Sequence, residues 1–479
     1  MARVASVIRE KNRYRINMGE ISKEIFRAYD IRGEIGKDFI PQDAYQIALG
    51  IGSQLQALKI PRVLLGRDAR VTSPDIRNAL TKGLLETGCE IIDLGIIPTP
   101  ALYFALSHLQ VFNGLMVTAS HNPANHNGIK MVIDNHPLTA NEIQDLYQLI
   151  KEKRFYPRVN TPLALTKYNI LPAYLDAIVS DISLKRPLKI AIDCSNGVAS
   201  LISTNLFNKI GCEVHPLYCD LDGTFPNHPP DPTKPENLTS LQQLVIDKQL
   251  DIGIAFDGDA DRMIAVDKKG KILWPDRLMI LFANSILKQY PNSSIAFDVK
   301  CSFLLPQAIK KAGGKPSMCI SGHSSLKSHM RKIDAIMGGE FSGHIILRDR
   351  WSDYDDALYN AARLLEILSE FKISPTQVFS EIPDSYSTPE YHLYFGNAKA
   401  AKNAINDIIQ KAKFPLAKHT FIDGLRIDYD DCWGLVRASN TTPTLTFRFE
   451  AKTQQRLEMM QQQFRDLLKQ VIPLEDLPF

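Results

Sequence analysis

The chain has 479 residues, of which 44% are hydrophobic and 23% are charged, and its formal net charge is +3. This length exceeds what one hydrophobic core serves, so three or four domains are expected. The charge gives no electrostatic reason to expect nucleic-acid binding, and no apolar run reaches the roughly eighteen residues of a membrane span. Seven scattered cysteines without Cys-x-x-Cys spacing indicate reduced thiols in a cytoplasmic protein.

The segment before the first predicted strand, residues 1–24, is basic. Its first twenty residues contain five basic and two acidic side chains, and no apolar stretch fit for a secretory signal. An organelle-targeting presequence can have this charge, but we favour an extension that takes no part in the chemistry.

One pattern then occurs three times: an apolar strand that ends in aspartate, a helix, a glycine and another strand. In the first copy Ser73 is predicted to cap the helix. The residues of that helix that should face the sheet are Ile76, Leu80 and Leu84. The pattern predicts three α/β domains, at residues 25–168, 169–271 and 272–383. The aspartates are Asp68, Asp193 and Asp298, and the glycines are Gly88, Gly211 and Gly314.

The first domain contains the most informative motif, Val117-Thr118-Ala119-Ser120-His121-Asn122-Pro123, with Lys130 shortly after it. Residues 114–117 read as a buried strand, which places Ser120 at a carboxyl end, where open α/β sheets bind ligands. His121 can donate a hydrogen bond to an anionic oxygen, and Lys130 adds a cation on the next strand. This set suits a serine that carries a phosphoryl group; the alternative is an ordinary polar turn.

The second domain places Asp257-Gly258-Asp259-Ala260-Asp261-Arg262 directly after the apolar run 252–256. Three carboxylates at alternate positions of a tight loop can bind one divalent cation, and Mg²⁺ is the usual choice beside phosphate. An EF-hand calcium loop needs glycine and glutamate where this chain has Arg262 and Lys268, so calcium sensing is not expected. Arg262 can hold a phosphate oxygen. An acidic surface turn is the remaining alternative.

Two later loops are rich in hydrogen-bonding groups. In Gly338-Gly339-Glu340-Phe341-Ser342-Gly343-His344, the side chains of Glu340 and Ser342 could bind the vicinal hydroxyls of a sugar. In Arg437-Ala438-Ser439-Asn440-Thr441-Thr442-Pro443, the guanidinium, hydroxyl and amide groups suit a phosphate that is bound but not transformed. A polar hairpin loop is the alternative for each.

The last segment, residues 384–479, alternates helix and strand differently and is predicted to be a smaller α+β domain, joined by a linker at 384–389. A helix is predicted at 398–413, strands are predicted near 420–429 and 434–436, and an amphipathic helix ends the chain. The buried stripe of that helix should comprise Leu457, Met460, Phe464, Leu467 and Val471.

These motifs, in this order, resemble the four signatures of the α-D-phosphohexomutases, and most closely those of the bacterial phosphomannomutase/phosphoglucomutase group. The resemblance extends roughly from Ile25 to Val471. The family's opening motif and two short segments also match, as Tyr29-Asp30-Ile31-Arg32-Gly33, Asp298-Val299-Lys300-Cys301 and Ser321-Gly322-His323-Ser324. The resemblance implies an α/β protein with three related α/β domains, mixed sheets and a smaller C-terminal α+β domain around a central cleft.

The resemblance also implies roles for individual residues. Ser120 would be the phosphoserine and, with Asp257, Asp259 and Asp261, would bind Mg²⁺. The residues implied in catalysis are Ser120, His121, Lys130, Arg262, His323 and Arg32. The residues implied in substrate binding are Tyr29, Lys300, Glu340, Ser342, His344, Arg437, Ser439, Asn440 and Thr441. Either Lys130 or His323 would relay the proton of the sugar hydroxyl, and the sequence does not choose between them.

The activity implied is the interconversion of hexose 1-phosphate and hexose 6-phosphate, for mannose or glucose, through a hexose 1,6-bisphosphate that turns end for end. Sugar phosphates are the expected partners of a monomer or weak dimer that binds neither nucleic acid nor membrane. Glucosamine phosphate is the main alternative substrate. Phe341 stands where close relatives usually carry methionine or tyrosine and phosphoglucosamine mutases carry glutamine. A sugar phosphatase is a more remote alternative. A non-catalytic sensor of sugar phosphates would need neither Ser120 nor the three aspartates, so their presence argues against it.

Overall fold

The computed structural model describes residues 19–159, 164–439 and 442–479. They form two compact units. Unit 1 comprises the described residues up to Leu273 together with Tyr354–Thr376, and unit 2 comprises Trp274–Asp353 and Gln377–Phe479. Within these ranges no helix is both long and apolar enough to cross a membrane.

The first sheet of unit 1 has the strand order β1-β5-β4-β2-β3-β7, with β6 paired to β5. The parallel strands β2, β3 and β4 form its centre, and β5 runs antiparallel to β4. The elements are β1 (Ile31–Glu34), α1 (Pro41–Leu58), β2 (Arg62–Arg67), α2 (Ser73–Glu86), β3 (Glu90–Ile96), α3 (Thr99–His108), β4 (Gly114–Val117), β5 (His126–Ile133), β6 (His136–Pro137), α4 (Ala140–Lys151) and β7 (Leu165–Lys167).

The start of α2 differs from its prediction. Ser73 is the first helical residue, and Thr72 occupies the N-cap position without a capping hydrogen bond from its side chain. The Ser73 hydroxyl instead donates to Asp68 at 2.5 Å. The prediction of a Ser73 cap was therefore wrong, because a buried carboxylate at the end of the preceding strand competes for this hydroxyl. The predicted inner face is confirmed, since Ile76, Leu80 and Leu84 are buried.

The second sheet of unit 1 has the order β12-β11-β10-β8-β9, in which β10, β8 and β9 are parallel and β11 and β12 are antiparallel. All residues of β10 and β11 are buried. The elements are α5 (Leu171–Asp181), β8 (Lys189–Asp193), α6 (Ser203–Lys209), β9 (Glu213–Leu217), α7 (Thr239–Asp247), β10 (Ile252–Phe256), β11 (Met263–Asp267) and β12 (Ile272–Leu273).

The first sheet of unit 2 has the order β14-β13-β15-β16, parallel except for β16. As in the first two sheets, a strand ending at or just before an aspartate leads through a helix to a parallel neighbour, so the repeated pattern is confirmed. The elements are α8 (Pro275–Gln289), β13 (Ser294–Asp298), α9 (Leu304–Lys311), β14 (Lys315–Cys319), α10 (His323–Ile333), β15 (Ala335–Gly339) and β16 (Ile345–Leu347).

Helix α11 (Ala357–Glu370) belongs to unit 1, although it follows the third sheet in the chain. All its residues except Glu370 are buried. The carboxylate of Asp356, just before the helix, accepts hydrogen bonds of 2.7 and 2.8 Å from the Tyr174 hydroxyl. The Tyr359 hydroxyl donates to Asp181 at 2.7 Å. The predicted third domain, 272–383, includes α11, whereas the compact unit that contains α11 is unit 1. The predicted domain boundaries stay predictions.

The second sheet of unit 2 is antiparallel, with the order β17-β22-β21-β20-β19 and with β18 also paired to β22. The predicted strand 420–429 is a hairpin of two strands, and the sequence analysis missed β22. The final helix is confirmed, with four predicted residues buried and Val471 partly buried beyond its end. The elements are α12 (Pro375–Ser380), β17 (Tyr386–Ser387), β18 (Tyr391–Tyr394), α13 (Ala398–Lys411), β19 (Lys418–Thr420), β20 (Leu425–Asp428), β21 (Cys432–Ala438), β22 (Thr444–Ala451) and α14 (Gln454–Leu468).

Together the four sheets confirm the predicted fold class of α/β domains with mixed sheets and a smaller antiparallel α+β domain. Short 3₁₀ segments lie before β1 at Lys23–Ile25, between elements at Val198–Leu201 and Pro235–Leu238, and after α14 at Leu474–Asp476.

Candidate active site

The loop after β4 holds Ser120 in an unusual backbone conformation. Its φ angle is +51°, in the left-handed region that residues other than glycine seldom adopt. The Ser120 amide donates to the Thr118 hydroxyl at 2.9 Å, and the residue is 2% exposed. A strained conformation persists only where the surroundings fix it, and such residues concentrate at functional sites.

Arg70 fixes this loop. Its side chain is fully buried and pairs with Asp68 at 3.1 Å. The guanidinium donates hydrogen bonds to four carbonyl oxygens of the loop, those of Ser120 at 2.8 Å, Asn122 at 2.7 Å, Pro123 at 2.5 Å and His126 at 3.1 Å. The sequence analysis did not select Arg70, since the four carbonyl oxygens that it binds belong to residues fifty or more positions away. The only local signal was an arginine two residues after a strand-ending aspartate.

Other predicted residues of unit 1 lie around the same loop. Nδ1 of His121 is 3.2 Å from the Ser120 hydroxyl oxygen. Arg32 lies on β1, opposite Gly128 of β5, and donates to the Asn122 side-chain oxygen at 2.8 Å. Tyr29 lies just before this strand and is half-buried. The structure therefore brings His121 to the Ser120 hydroxyl and Arg32 to the Ser120 loop.

The acidic loop between β10 and β11 lies beside Ser120. The carboxylates of Asp257, Asp259 and Asp261 are buried, and one oxygen from each lies within 4.8 Å of the others. The Ser120 hydroxyl donates to Asp257 at 2.7 Å. Burial, with repulsion from Asp261 and Asp259, raises the pKa of Asp257 well above its ordinary value.

Two further side chains stabilise these carboxylates, one as a cation and one as a neutral donor. Lys130 on β5 donates to Asp259 at 2.7 Å and to Asp261 at 2.5 Å. Thr99, the first residue of α3, donates its hydroxyl to Asp259 at 2.6 Å. Burial opposes ionisation of Asp259, but Lys130 and Thr99 hold its pKa below the usual value. Nε of Arg262 is 3.9 Å from the carboxylates of Asp257 and Asp261.

This donor set fits a divalent cation. Among the described residues, Oδ1 of Asp259 is buried and accepts no hydrogen bond. Hard oxygen ligands and an excess of buried negative charge are what divalent cations of the Mg²⁺ type require. The repulsion that raises the pKa of Asp257 would be relieved by such an ion.

In unit 2, the loop after β15 holds Glu340 in a buried position, 3% exposed. Its carboxylate accepts a hydrogen bond from the Gly322 amide, and burial with nearby Asp298 raises its pKa. The rings of His344 and His323 are 5.6 Å apart, whereas Ser342 is half-exposed. The structure thus brings Glu340, His344 and His323 together.

Phe341 in this loop is covered by an arginine. The guanidinium carbon of Arg448 lies 3.5 Å from the Phe341 ring centroid, and the Trp274 ring is 5.5 Å away. The amide of Phe341 donates to Asp298 at 3.1 Å. The aromatic residue at this position therefore packs within unit 2 by a cation–π contact.

The predicted phosphate loop is linked to the same part of unit 2. Arg437 at the end of β21 donates to Asp423 at 2.9 Å, and Asp423 also accepts from the Ser321 amide at 3.0 Å. The Ser439 hydroxyl accepts from the amide of Thr442 at 3.2 Å. The predicted residues Asn440 and Thr441 lie outside the described residues.

Lys300 has an acidic partner that the sequence analysis did not identify. Its ammonium group is 3.2 Å from the Glu390 carboxylate. Burial opposes the charge of Lys300, but Glu390 and Asp298 raise its pKa above the usual value. Glu390 is the residue after the predicted linker 384–389 and is partly buried, and composition gave no sign of such a partner there.

The loops that carry Ser120, the three aspartates, Glu340 and Arg437 all lie in segments that match domains of one protein family. The chain matches the four domains of the phosphoglucomutase/phosphomannomutase family, alpha/beta/alpha domain I at residues 23–157, domain II at 172–270, domain III at 274–386 and the C-terminal domain at 397–467. A phosphomannomutase/phosphoglucomutase of Pseudomonas aeruginosa is 43% identical over 456 residues, 95% of this chain and 97% of the relative. A phosphoglucomutase of Neisseria gonorrhoeae is 42% identical over 453 residues, 94% and 98% of the two chains. The crystal structure of a phosphoglucomutase/phosphomannomutase family protein from Burkholderia thailandensis has a TM-score of 0.90 and 41% identity, covering 96% of this chain and 100% of that one.

Proposed function

Because this chain belongs to the phosphoglucomutase/phosphomannomutase family of α-D-phosphohexomutases, we propose that it interconverts the 1-phosphates and 6-phosphates of mannose and glucose with Ser120 as phosphoryl carrier. The role of Ser120 rests on the hydrogen bond from its hydroxyl to Asp257, which is one of three buried carboxylates that cluster beside it. A polar turn without chemistry has no need of such a cluster. The cytoplasmic location and the monomeric or weakly dimeric state remain predictions.

In the first half-reaction the hydroxyl oxygen of a hexose monophosphate attacks the phosphorus on Ser120. The new P–O bond forms as the bond from phosphorus to the serine oxygen breaks, and the hydroxyl proton passes to a base. Of the two predicted candidates we favour His323, since Lys130 donates to Asp259 and Asp261 and is thereby held as a cationic ammonium group. The product is hexose 1,6-bisphosphate. After it turns, its other phosphoryl group moves back to Ser120 and the isomeric monophosphate leaves.

The residues around Ser120 would act by position and charge. Lys130, Arg262 and Arg32 are cations that can offset charge on the moving phosphoryl group, and His121 can donate to one of its oxygens. Asp257, Asp259 and Asp261, with an oxygen on Ser120, would hold Mg²⁺. When bound, this ion supplies Lewis-acid stabilisation of phosphoryl charge.

The unit 2 residues would bind the sugar and the phosphate that is not reacting. Glu340 and Ser342 can accept and donate hydrogen bonds to vicinal hydroxyls, with His344 beside them. Arg437, Ser439 and the predicted residues Asn440 and Thr441 suit a phosphate group, and Lys300 adds a cation. Tyr29 stays a predicted substrate-binding residue.

The proposal is tested by following mannose 1-phosphate, glucose 1-phosphate and glucosamine 1-phosphate by phosphorus NMR, with Mg²⁺ and a trace of hexose 1,6-bisphosphate. We expect conversion of the first two to their 6-phosphates. Turnover of the glucosamine compound should be lower by about ten-fold or more, since Phe341 brings no polar group to the sugar loop. Turnover of glucosamine 1-phosphate alone would overturn the sugar assignment, and release of free phosphate alone would indicate a phosphatase.

Metal removal gives a second prediction. Chelation should lower turnover by about a thousand-fold, and added Mg²⁺ should restore it, because the ion contributes several kcal/mol to transition-state charge stabilisation. Independently of activity, Mg²⁺ at about a hundred times its Kd should raise the free energy of unfolding by about 2.7 kcal/mol. The Asp257→Asn variant should lose this stabilisation, whereas the exposed control Asp247→Asn should keep it. Equal stabilisation of both variants would contradict the metal assignment.

A further inference from the structure

Two cysteine thiols that the proposed reaction does not use lie in contact in unit 1. Sγ of Cys194 is 3.1 Å from Sγ of Cys219. They follow neighbouring parallel strands, β8 and β9, whose last residues are paired in register as Asp193 and Leu217. Cys194 lies one residue and Cys219 two residues beyond these ends, so they are offset by one position. Since adjacent strands lie about 4.8 Å apart, this offset still falls within the range of Cα separations that a disulfide bridges. Since a disulfide has an S–S length of about 2.05 Å, the two sulfurs need to approach by only about 1 Å.

The two thiols differ in environment. Cys194 is fully buried, and burial raises the pKa of its thiol well above the ordinary value. Cys219 is partly exposed, and hydrogen bonding with Cys194 lowers its pKa. The thiolate is the form that reacts with peroxides, and reactivity also requires access. Cys219 is therefore suited to react first and Cys194 to resolve the product.

We propose that Cys194 and Cys219 form a reversible intramolecular disulfide, with a hydroperoxide as the oxidant. The Cys219 thiolate attacks one oxygen of hydrogen peroxide, the O–O bond breaks and hydroxide leaves, which gives a sulfenic acid. The Cys194 sulfur loses its proton and attacks the sulfenic sulfur; the S–S bond forms, the S–O bond breaks and water leaves. The two thiols lose two electrons and two protons, and the peroxide becomes two waters. In a reducing compartment such a disulfide is transient and acts as a redox sensor.

The segment that carries Cys194 also supports the acidic loop. The Val198 amide donates to the Gly258 carbonyl at 3.2 Å. The backbones approach so closely that a Cβ placed on Gly197 would lie 2.7 Å from the same carbonyl oxygen. Ser195 and Asn196 both have positive φ angles, so this turn has little freedom to absorb a shift of Cys194 by local rotation.

The segment that carries Cys219 contacts the Ser120 loop as well. The ring of Phe225 lies 5.0 Å from the guanidinium carbon of Arg70, the residue that holds the Ser120 loop. Further along, the Pro230 carbonyl accepts from the Gly258 amide at 3.2 Å. Closing the disulfide therefore pulls together two segments that contact both loops of the candidate active site. A misplacement of about 1 Å can lower a reaction rate on the order of a hundred-fold.

The disulfide is tested on the full chain treated with hydrogen peroxide and digested without reduction. Mass spectrometry should find a peptide pair linked through Cys194 and Cys219, and dithiothreitol should separate it. The Cys219→Ser variant should give no linked pair. The control Cys212→Ser, at a buried thiol of the same sheet region whose pKa burial raises to about 12, should still give it. Oxidation of Cys219 to sulfinic acid without any linked pair would overturn the proposal.

The coupling to the active site has a separate measurement. Amide hydrogen exchange at residues 195–198 and 257–262 should be faster in the oxidised chain than in the reduced chain, and should not change in peroxide-treated Cys219→Ser. The effect on turnover, a loss on the order of ten- to a hundred-fold restored by dithiothreitol, rests on the proposed function. Exchange does not depend on that function, so the two failures are distinguishable. If the Cys194–Cys219 disulfide forms but amide hydrogen exchange at these residues does not change, the disulfide is not coupled to the active-site loops.

Discussion

The Ser120→Ala variant should convert glucose 1-phosphate and mannose 1-phosphate at less than about one ten-thousandth of the wild-type rate, the scale on which loss of a nucleophile acts. The reason is chemical, because alanine has no oxygen to carry the phosphoryl group between the two half-reactions. The measurement is phosphorus NMR of both sugar phosphates, with the exposed Ser107→Ala as the matched control in the same domain.

A second readout separates the carrier role from misfolding. Wild-type protein incubated with hexose 1,6-bisphosphate should gain the mass of one phosphoryl group on the peptide that contains Ser120, and Ser120→Ala should gain none. Thermal unfolding of the variant should stay close to wild type, since the change removes one hydroxyl group, whose hydrogen bonds are worth about 1 kcal/mol each. A phosphorylated and active Ser120→Ala protein would show that another residue is the carrier.

The Glu450→Ala variant should lower the stability of unit 2 by about 3–5 kcal/mol. Glu450 is fully buried on β22, and its carboxylate accepts hydrogen bonds from several side chains. They are Arg277 at 2.9 Å, Ser302 at 2.7 Å, Trp433 at 2.6 Å and Ser385. Alanine would leave the guanidinium of Arg277 buried without this anion.

Tryptophan fluorescence during urea unfolding measures this effect selectively. All three tryptophans, Trp274, Trp351 and Trp433, lie in unit 2, so the signal reports on that unit alone. The control Glu458→Ala, exposed on α14, should change stability by no more than about 0.5 kcal/mol. Equal midpoints for the two variants would contradict a structural role for Glu450.

The same carboxylate gives a pH dependence. Burial alone would raise the pKa of Glu450, but Arg448 and Arg277 hold it below the ordinary value. A depressed pKa adds stability that is complete above the pKa of the unfolded chain and is lost as pH falls through that of the folded chain. The stability difference between wild type and Glu450→Gln should therefore narrow on acidification, and a constant difference would argue against ionised Glu450.

The sequence predicted those parts of the candidate site that are contiguous in the chain. Ser120 with His121, and the three aspartates, are each recognisable within a few residues, because strand, turn and polar group follow one another directly. Three residues that bind predicted site residues were not predicted. Arg70, Thr99 and Glu390 act on partners far away in the chain, and only the packing of several elements brings each to its partner.

The fold shows the same division between local and distant information. The strands around Ser120 and the acidic loop were predicted because they are continuous apolar runs. The strand β22 was missed although its polar and apolar residues alternate as in a half-buried strand. What the alternation did not indicate is that its arginine and glutamate occupy buried positions. Their burial depends on Arg277 in α8 and on the Lys300 carbonyl after β13. No pattern within β22 itself therefore predicts that these polar residues are buried.

The chain path through α11 sets an order on synthesis. Proteins emerge from the ribosome N-terminus first. Unit 1 therefore lacks its buried helix α11 until the whole third sheet has been translated. Tyr174 and Asp181 cannot form their hydrogen bonds to Asp356 and Tyr359 until those residues, nearly two hundred positions later, have been synthesised. A nascent chain paused after Leu273 exposes to chaperones the apolar surface that α11 covers in the folded unit. A recombinant fragment that ends at Leu273 would expose this surface permanently.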